Sequence, residues 1–318
     1  MRKPHVRGAC MSGVSELYVN KPSLTFLGFS RPKSETPLSV IGVPLDMTST
    51  FTPGTRFAPY YVRLASQSIE TYSLRSMIDL SDVGVHDEGD IVISYGDLSS
   101  SLRAIELVAE ELFKEGRLTV FIGGEHLILY PIVKALVKVF GTKTCLIVFD
   151  AHLDFRHEYL GVKLSHACTI RRVSEVLPYS RVALIGVRAL SSEELRDVKR
   201  SRIRYITSHD LMRLSSRDVL NRLIEILGDC SYTYVSVDLD VLDPSYAPAV
   251  STPEPEGISP HQLLDILNLL TTSVNLVGLD ICEYVPLVDV NNITAFVGAK
   301  IAIEALTYMY RSFTSRTK

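Results

Sequence analysis

Two aspartate-rich segments flank the middle of the chain: FDAHLDF, with Asp150, His152 and Asp154, and SVDLDVLDP, with Asp238, Asp240 and Asp243. Each follows an apolar run, CLIVF at 145–149 and YTYVSV at 232–237. An apolar β-rich run that ends in D-x-H-x-D or D-x-D reads as a buried strand whose polar residues begin where it leaves the core. On a strand, positions i, i+2 and i+4 face one side, so Asp150, His152 and Asp154 are expected to converge, as are Asp238 and Asp240. Four carboxylates crowded together without cations repel and resist ionisation, and bound divalent metal is the simplest remedy. A third segment, Gly123-Gly124-Glu125-His126 after LTVFI, adds His126, its glycines allowing a sharp turn. Four aspartates balance two divalent cations. Oxygen-rich ligation with one imidazole per metal suits Mn²⁺ better than Zn²⁺. Two metals sharing a water lower its pKa, so the set reads as a dinuclear hydrolase. Asp243, followed by Pro244, reads as a turn former.

From Pro37 onward, β-like runs alternate with helical patterns. Strands are expected at 38–43, 118–122, 144–149, 181–186, 202–206, 233–238 and 274–280, with another at 79–84 or 90–93. Helices are expected at 57–70, 98–116, 129–140, 166–176, 191–200, 215–228, 259–271 and 291–312. Ser259-Pro260 carries an N-cap and a first-turn proline. The alternation predicts α/β architecture: a single three-layer domain, with a mostly parallel central sheet of about eight strands and helices on both faces. Such sheets bind ligands at the carboxyl ends of their strands, where all three segments lie. Residues 1–35 read as an irregular N-terminal extension, the first dozen as a tail, and 36–318 as the catalytic domain.

The chain has 318 residues, 46% hydrophobic and 22% charged, with net charge −3, which gives no reason to expect a nucleic-acid partner. No run approaches the roughly 18 apolar residues of a membrane span, and no signal-peptide pattern follows the basic N-terminus. Cys10, Cys145, Cys168, Cys230 and Cys282 are odd in number and scattered, which predicts free thiols in a reducing, cytoplasmic setting, with Cys145 and Cys282 in the core.

GGEH, DAHLD and SVDLDVLDP resemble the metal motifs of the ureohydrolase (arginase/agmatinase) family. GVPLD with PGTRFAPYYVR (42–63), TPEPEG (252–257), DICEYVP (280–286) and Thr294-Ala295 resemble its other signatures in order, so the likeness covers nearly the whole chain. The resemblance implies an arginase-like fold and two Mn²⁺ per subunit. One would be held by His126, Asp150, Asp154 and Asp238, the other by Asp150, His152, Asp238 and Asp240. It further implies that a bridging hydroxide attacks a guanidinium carbon, that Asp154 relays a proton to the leaving amine, that His166 assists, and that Glu283 binds the guanidinium. A trimeric or hexameric homo-oligomer is implied too, with 291–312 as an exposed interface helix.

The loop between Asp154 and His166, FRHEYLGVKLS, is short and looks like that of agmatinases. That implies hydrolysis of agmatine to putrescine and urea, a step of polyamine biosynthesis, with Glu158 a candidate for the distal ammonium. Guanidinobutyrate, arginine or formimidoylglutamate would want a cation, and Arg156 and Lys163 lie in this loop. A single-zinc deacetylase-like hydrolase would not need His126 and Asp240, and a catalytically dead binding homologue would not need the whole set. One departure stands out: Ala249, Ser251 and Glu256 occupy positions where the family's P-G-x-G-T-P-E-P-G-G pattern has glycine.

Overall fold

The computed structural model describes residues 13–316, so Cys10 and the first dozen residues lie outside the described part. Nine strands form one sheet: β1 (Val19–Asn20), β2 (Leu38–Val43), β3 (His86–Ile91), β4 (Leu118–Gly123), β5 (Thr144–Phe149), β6 (Val182–Val187), β7 (Arg204–Thr207), β8 (Tyr232–Asp238) and β9 (Leu276–Cys282). Their spatial order is β1-β3-β2-β4-β9-β8-β5-β6-β7. All pairings are parallel except β1 with β3. The chain leaves β4 and skips two places to β5; β8 and β9 later fill that gap. Thus the carboxyl ends of β4, β9, β8 and β5 stand side by side.

The inner strands are buried on both faces, which is why they read as unbroken apolar runs. Alternate residues serve two cores. Ile147 and Phe149 pack with the helices Ser216–Leu227, Pro260–Ser273 and Ile293–Arg316. Leu146 and Val148 pack with Leu98–Lys114 and Leu129–Phe140. The Ser259 hydroxyl accepts from Gln262 N–H, with Pro260 opening that helix.

Several expectations need correction. The additional strand is His86–Ile91, whereas Ile78–Asp79 pairs with Tyr72–Ser73 in a separate ribbon. Residues 1–35 are not wholly irregular: Val14–Tyr18 is helical and Val19–Asn20 extends the sheet, held by Glu111, whose carboxylate accepts from the Val14 and Ser15 N–H groups at 2.8 Å. A two-residue strand has no periodicity to read. The 166–176 helix is a 3₁₀ turn at His166–Cys168 followed by Thr169–Val173. Helix Ile293–Arg316 is not an exposed interface helix. Residues Val290–Arg316 are long and apolar enough to cross a membrane, yet 72% of the apolar window is buried. It packs beneath β4 and β9 and against helices Ala58–Ser66 and Pro260–Ser273; apolar residues all round a helix mark a core position.

The cysteines also differ. Cys145 and Cys230 form a disulfide across a sequence separation of 85, while Cys168 and Cys282 are free and buried. Cys145 sits opposite Thr233 on the β5/β8 pair, and Cys230 lies two residues before β8 begins at Tyr232. That adjacency is tertiary and leaves no mark in cysteine spacing.

Glu256 adopts φ +64° in an exposed part of the loop leading to Gly257. A left-handed backbone costs an L-residue about 1–2 kcal/mol, partly offset by the entropy of glycine in the unfolded chain. Glu256→Gly is expected to raise unfolding free energy by about 0.5–1 kcal/mol, read from the urea midpoint; an unchanged or lower midpoint would show that the conformation is unstrained.

Candidate active site

At the end of β4 the chain turns over Gly124. A Cβ there would lie 1.8 Å from the Leu45 carbonyl oxygen, so only glycine fits. The close approach lets Gly124 N–H bond Val43 O and Glu125 N–H bond Leu45 O, both at 2.8 Å. His126 is thereby driven under the strand ends with no exposure. Its Nδ1 lies 2.9 Å from Asp154 Oδ2, 3.1 Å from Asp150 Oδ2 and 3.6 Å from Asp238 Oδ2. Its Nε2 lies 3.2 Å from Ser236 Oγ, whose hydroxyl donates to Asp280 Oδ1 at 2.7 Å. The Ser236 oxygen must therefore accept from Nε2–H, which turns Nδ1 toward the carboxylates.

The D-x-H-x-D residues converge, though not by strand alternation. β5 ends at Phe149, and Asp150 to Asp154 lie beyond it, tied to β6 through Asp150 N–H to Ile185 O at 2.9 Å and Arg188 N–H to Ala151 O at 2.8 Å. Asp154 turns inward through φ +47°. Asp240 likewise sits on a 3₁₀ turn, Leu239–Val241, not on β8. His152 Nδ1 lies 2.8 Å from Asp240 Oδ2 and 3.6 Å from Asp150 Oδ1. Two triads of donor atoms result, His126/Asp150/Asp154 and Asp150/His152/Asp240, each within 4.8 Å and sharing Asp150. Cys282 forms a third with His126 and Asp238. Burial, then Asp238, push the Cys282 thiol well above its usual pKa.

Charge is crowded here. Burial and then Asp150 raise Asp154 to about 6, and burial with Asp240 and Asp150 raises Asp238 well above the usual carboxylate range. For Asp150 burial also raises the pKa, but His126 and His152 outweigh it and hold the group low. Burial lowers the imidazoles, yet the carboxylates override it: His126 stands well above its ordinary value and His152 reaches about 12.

β9 delivers Glu283, 1% exposed and at φ +64°. Its Oε1 accepts from His126 N–H at 2.6 Å and lies 3.3 Å from His166 Nδ1; its Oε2 accepts from the Ser251 hydroxyl. His166 N–H donates to Thr48 Oγ1 at 2.9 Å, and its Nε2 lies 3.0 Å from Thr50 Oγ1. Burial lowers His166, but Glu283, with Asp154 and Glu125, outweighs it and raises it to about 9.

His152, Asp154, His166, Asp238, Asp240 and Glu283 line one cleft of 530 Å³, with His126 and Asp150 buried behind it. Glu158 is not among the lining residues; it is exposed and borders a neighbouring hollow with Glu193 and Asp197. Lys163 is exposed and does not line the cleft. Arg156 does, but it pairs with Glu194 at 3.2 Å and covers the Tyr159 ring.

Sequence reasoning missed three participants. Glu125, fully buried, accepts from Met47 N–H, Thr48 N–H and Thr48 Oγ1–H at 2.7–2.8 Å and so holds the loop that cradles His166; its place inside GGEH was the available signal. Arg188 ties down the Asp240, Glu254 and Pro255 carbonyls at 2.6–2.7 Å. Glu254 brings a half-exposed carboxylate to the rim, 3.9 Å from His152 Nε2. Glu254 stands inside TPEPEG, which was its signal, whereas nothing in a local window marks Arg188.

The sequence matches the Arginase family over residues 36–307. It is 34% identical to the agmatinase of Bacillus subtilis over 281 residues, 87% of this chain and 93% of that protein. It is 31% identical to the guanidinobutyrase of Pseudomonas aeruginosa, covering 84% of each chain. The fold superposes on the agmatine ureohydrolase of Thermoplasma volcanium with a TM-score of 0.81, at 31% identity, covering 90% of this chain and 94% of that one. Sheet order, strand-end carboxylates and these likenesses agree, and the chain belongs to the arginase family, hydrolases that act on guanidino C–N bonds.

Proposed function

We propose that the protein is an agmatinase that hydrolyses agmatine to putrescine and urea with two Mn²⁺ ions, for which His126, Asp150, His152, Asp154, Asp238 and Asp240 are the ligands. Enzymes of the family use a dinuclear metal centre. The residues here suit one. Asp150 Oδ2 is buried without a hydrogen bond, and the donor set is four carboxylates and two imidazoles. Such ligands favour a hard cation, and a positive charge among them offsets the burial and mutual repulsion that raise the Asp154 and Asp238 pKa values. Bound there, the metals supply Lewis acidity and lower the pKa of a water.

The chain's own residues do the rest. Glu283 offers a buried carboxylate to the planar guanidinium and orients its carbon toward the aspartates. Asp154, at the cleft floor, accepts a proton from the attacking water and passes it toward the departing amine. His166, held between Glu283 and Thr50, keeps a proton near neutral pH and supplies it at the cleft side through Nε2.

The observation that carries agmatine as substrate is the cleft's charge. Its two arginines are engaged, Arg156 by Glu194 and Arg188 by backbone carbonyls, whereas Glu254 stands at the rim. A cationic tail suits this cleft; the carboxylate of arginine or guanidinobutyrate finds no spare cation among the lining residues.

With Mn²⁺ supplied, kcat/KM for urea release is expected to be at least about tenfold higher for agmatine than for arginine or guanidinobutyrate, the cost of one unpaired charge in the cleft. A preference for guanidinobutyrate in the same panel would transfer the assignment to that substrate. Asp238→Ala is expected to lose bound metal and activity together, measured by metal analysis and urea assay; a variant retaining two metals would remove Asp238 as a shared ligand. A pH dependence also follows. His152 is raised from 6.5 to about 12 and Asp154 from 3.8 to about 6. A raised folded pKa gives stability below the unfolded value that is lost as pH climbs through the folded one, so Asp154's share fades between about 4 and 6 and His152's above about 6.5. Metal-free protein should therefore melt lower at pH 8.5 than at pH 6.5. Added Mn²⁺ takes over from those protons and should raise the melting temperature more at pH 8.5. Equal gains at both pH values would contradict this competition.

A further inference from the structure

We infer that Ser251 is a positioning residue for the Glu283 carboxylate and so sets the affinity for guanidinium; this rests on the reading of Glu283 as the guanidinium-binding group. The segment 249–251 runs antiparallel to 283–285: Ser251 N–H donates to Glu283 O at 3.1 Å, Val285 N–H to Ala249 O at 2.9 Å, and Val250 bridges Tyr284. Ala249 N–H is anchored on Thr294 Oγ1 at 3.1 Å, and Ser251 O accepts from Thr52 N–H at 3.3 Å. These bonds are all made by the backbone of 249–251, so Ser251 stands beside Glu283 whatever its side chain.

The side chain then acts on the carboxylate alone. Ser251 is fully buried, and its hydroxyl donates to Glu283 Oε2 while His126 N–H holds Oε1. The carboxylate is clamped at both oxygens. Its terminal torsion is intrinsically broad, so a single donor leaves it free to swing out of the plane that a bidentate guanidinium requires. Each carboxylate oxygen has two acceptor sites. After Ser251 and His126 are counted, Oε2 keeps one site open, while the remaining site on Oε1 faces His166 Nδ1 at 3.3 Å. A guanidinium N–H fits the open Oε2 site, and a second reaches Oε1 as His166 yields its place. At residue 251 the P-G-x-G-T-P pattern noted above has glycine, which has no hydroxyl, so here the clamp comes from a residue the pattern does not supply.

The test uses Ser251→Ala and Ser251→Gly in the full chain with metal. Guanidinium chloride at millimolar concentration is the binding probe, because it meets the carboxylate and not the tail site. Binding is read by calorimetry, beside metal content, melting temperature and steady-state urea release. Loss of a hydrogen bond to a charged group predicts guanidinium affinity weakened about tenfold or more in both variants. KM for the preferred guanidine should rise by a similar factor, with kcat within about threefold and metal content unchanged, the pattern of lost uniform binding. Guanidinium affinity equal to wild type in both variants overturns the inference, as does a loss confined to melting temperature or metal content. If the wild type binds guanidinium but releases urea from no guanidine tested, the functional reading fails, and the calorimetric comparison still decides the role of Ser251.

Discussion

Carboxylate repulsion at the ends of four neighbouring strands is the constraint around which this protein is organised. Asp150, Asp154, Asp238 and Asp240 are at most 8% exposed, and the imidazoles of His126 and His152 lie directly against them. Burial and this repulsion raise the pKa of Asp154 and of Asp238. The sheet tolerates this because its order, β4-β9-β8-β5, places the four strand ends together where backbone N–H groups are available. Ala151 N–H bonds Asp240, His152 N–H bonds Asp150 and Asp240 N–H bonds Asp238, at 2.6–3.0 Å. The fold thus concentrates negative charge and holds it in place, a preorganised receptor for cations.

Backbone strain accompanies the charge. Asp154 and Glu283 both take left-handed conformations at the cleft floor. Non-glycine residues in that region cost energy and persist only where surrounding bonds over-determine them. Here the bonds are identifiable. Asp154 O accepts from Ile170 and Arg171 N–H, and Glu283 is held by Gly124 O, the Ser251 ladder and His126 N–H. The β4 turn over Gly124 links these restraints, since it carries Glu125, His126 and the carbonyl that receives Glu283.

The rim of the cleft separates substrates by a different route. Arginines near a binding site ordinarily suggest anion recognition. In this cleft both are consumed by internal partners, Arg156 by Glu194 and Arg188 by the loop carrying Glu254. Their charge stabilises the walls instead of addressing a ligand. The loop 155–165, from which the sequence argument about substrate began, contributes Arg156 and Tyr159 to the wall but leaves Glu158 pointing elsewhere.

Sequence alone determined the α/β alternation, seven of the nine sheet strands and the convergence of three polar segments at strand ends, because each is written in local pattern: apolar runs of strand length, and polar residues that begin where burial stops. It did not determine features that depend on which strands become neighbours. The late insertion of β8 and β9 between β4 and β5 brings Cys145 to Cys230, Glu283 to His126 and Ser251 to Glu283, pairs separated by 32 to 157 residues. Strand pairing over such distances follows from packing of both sheet faces, which no window of sequence contains. The β1 edge strand was too short for a period, and the Glu125 and Arg188 networks bond mostly to backbone of remote loops. Residue chemistry was therefore legible in the chain, while the distances that turn it into a site were decided by the tertiary fold.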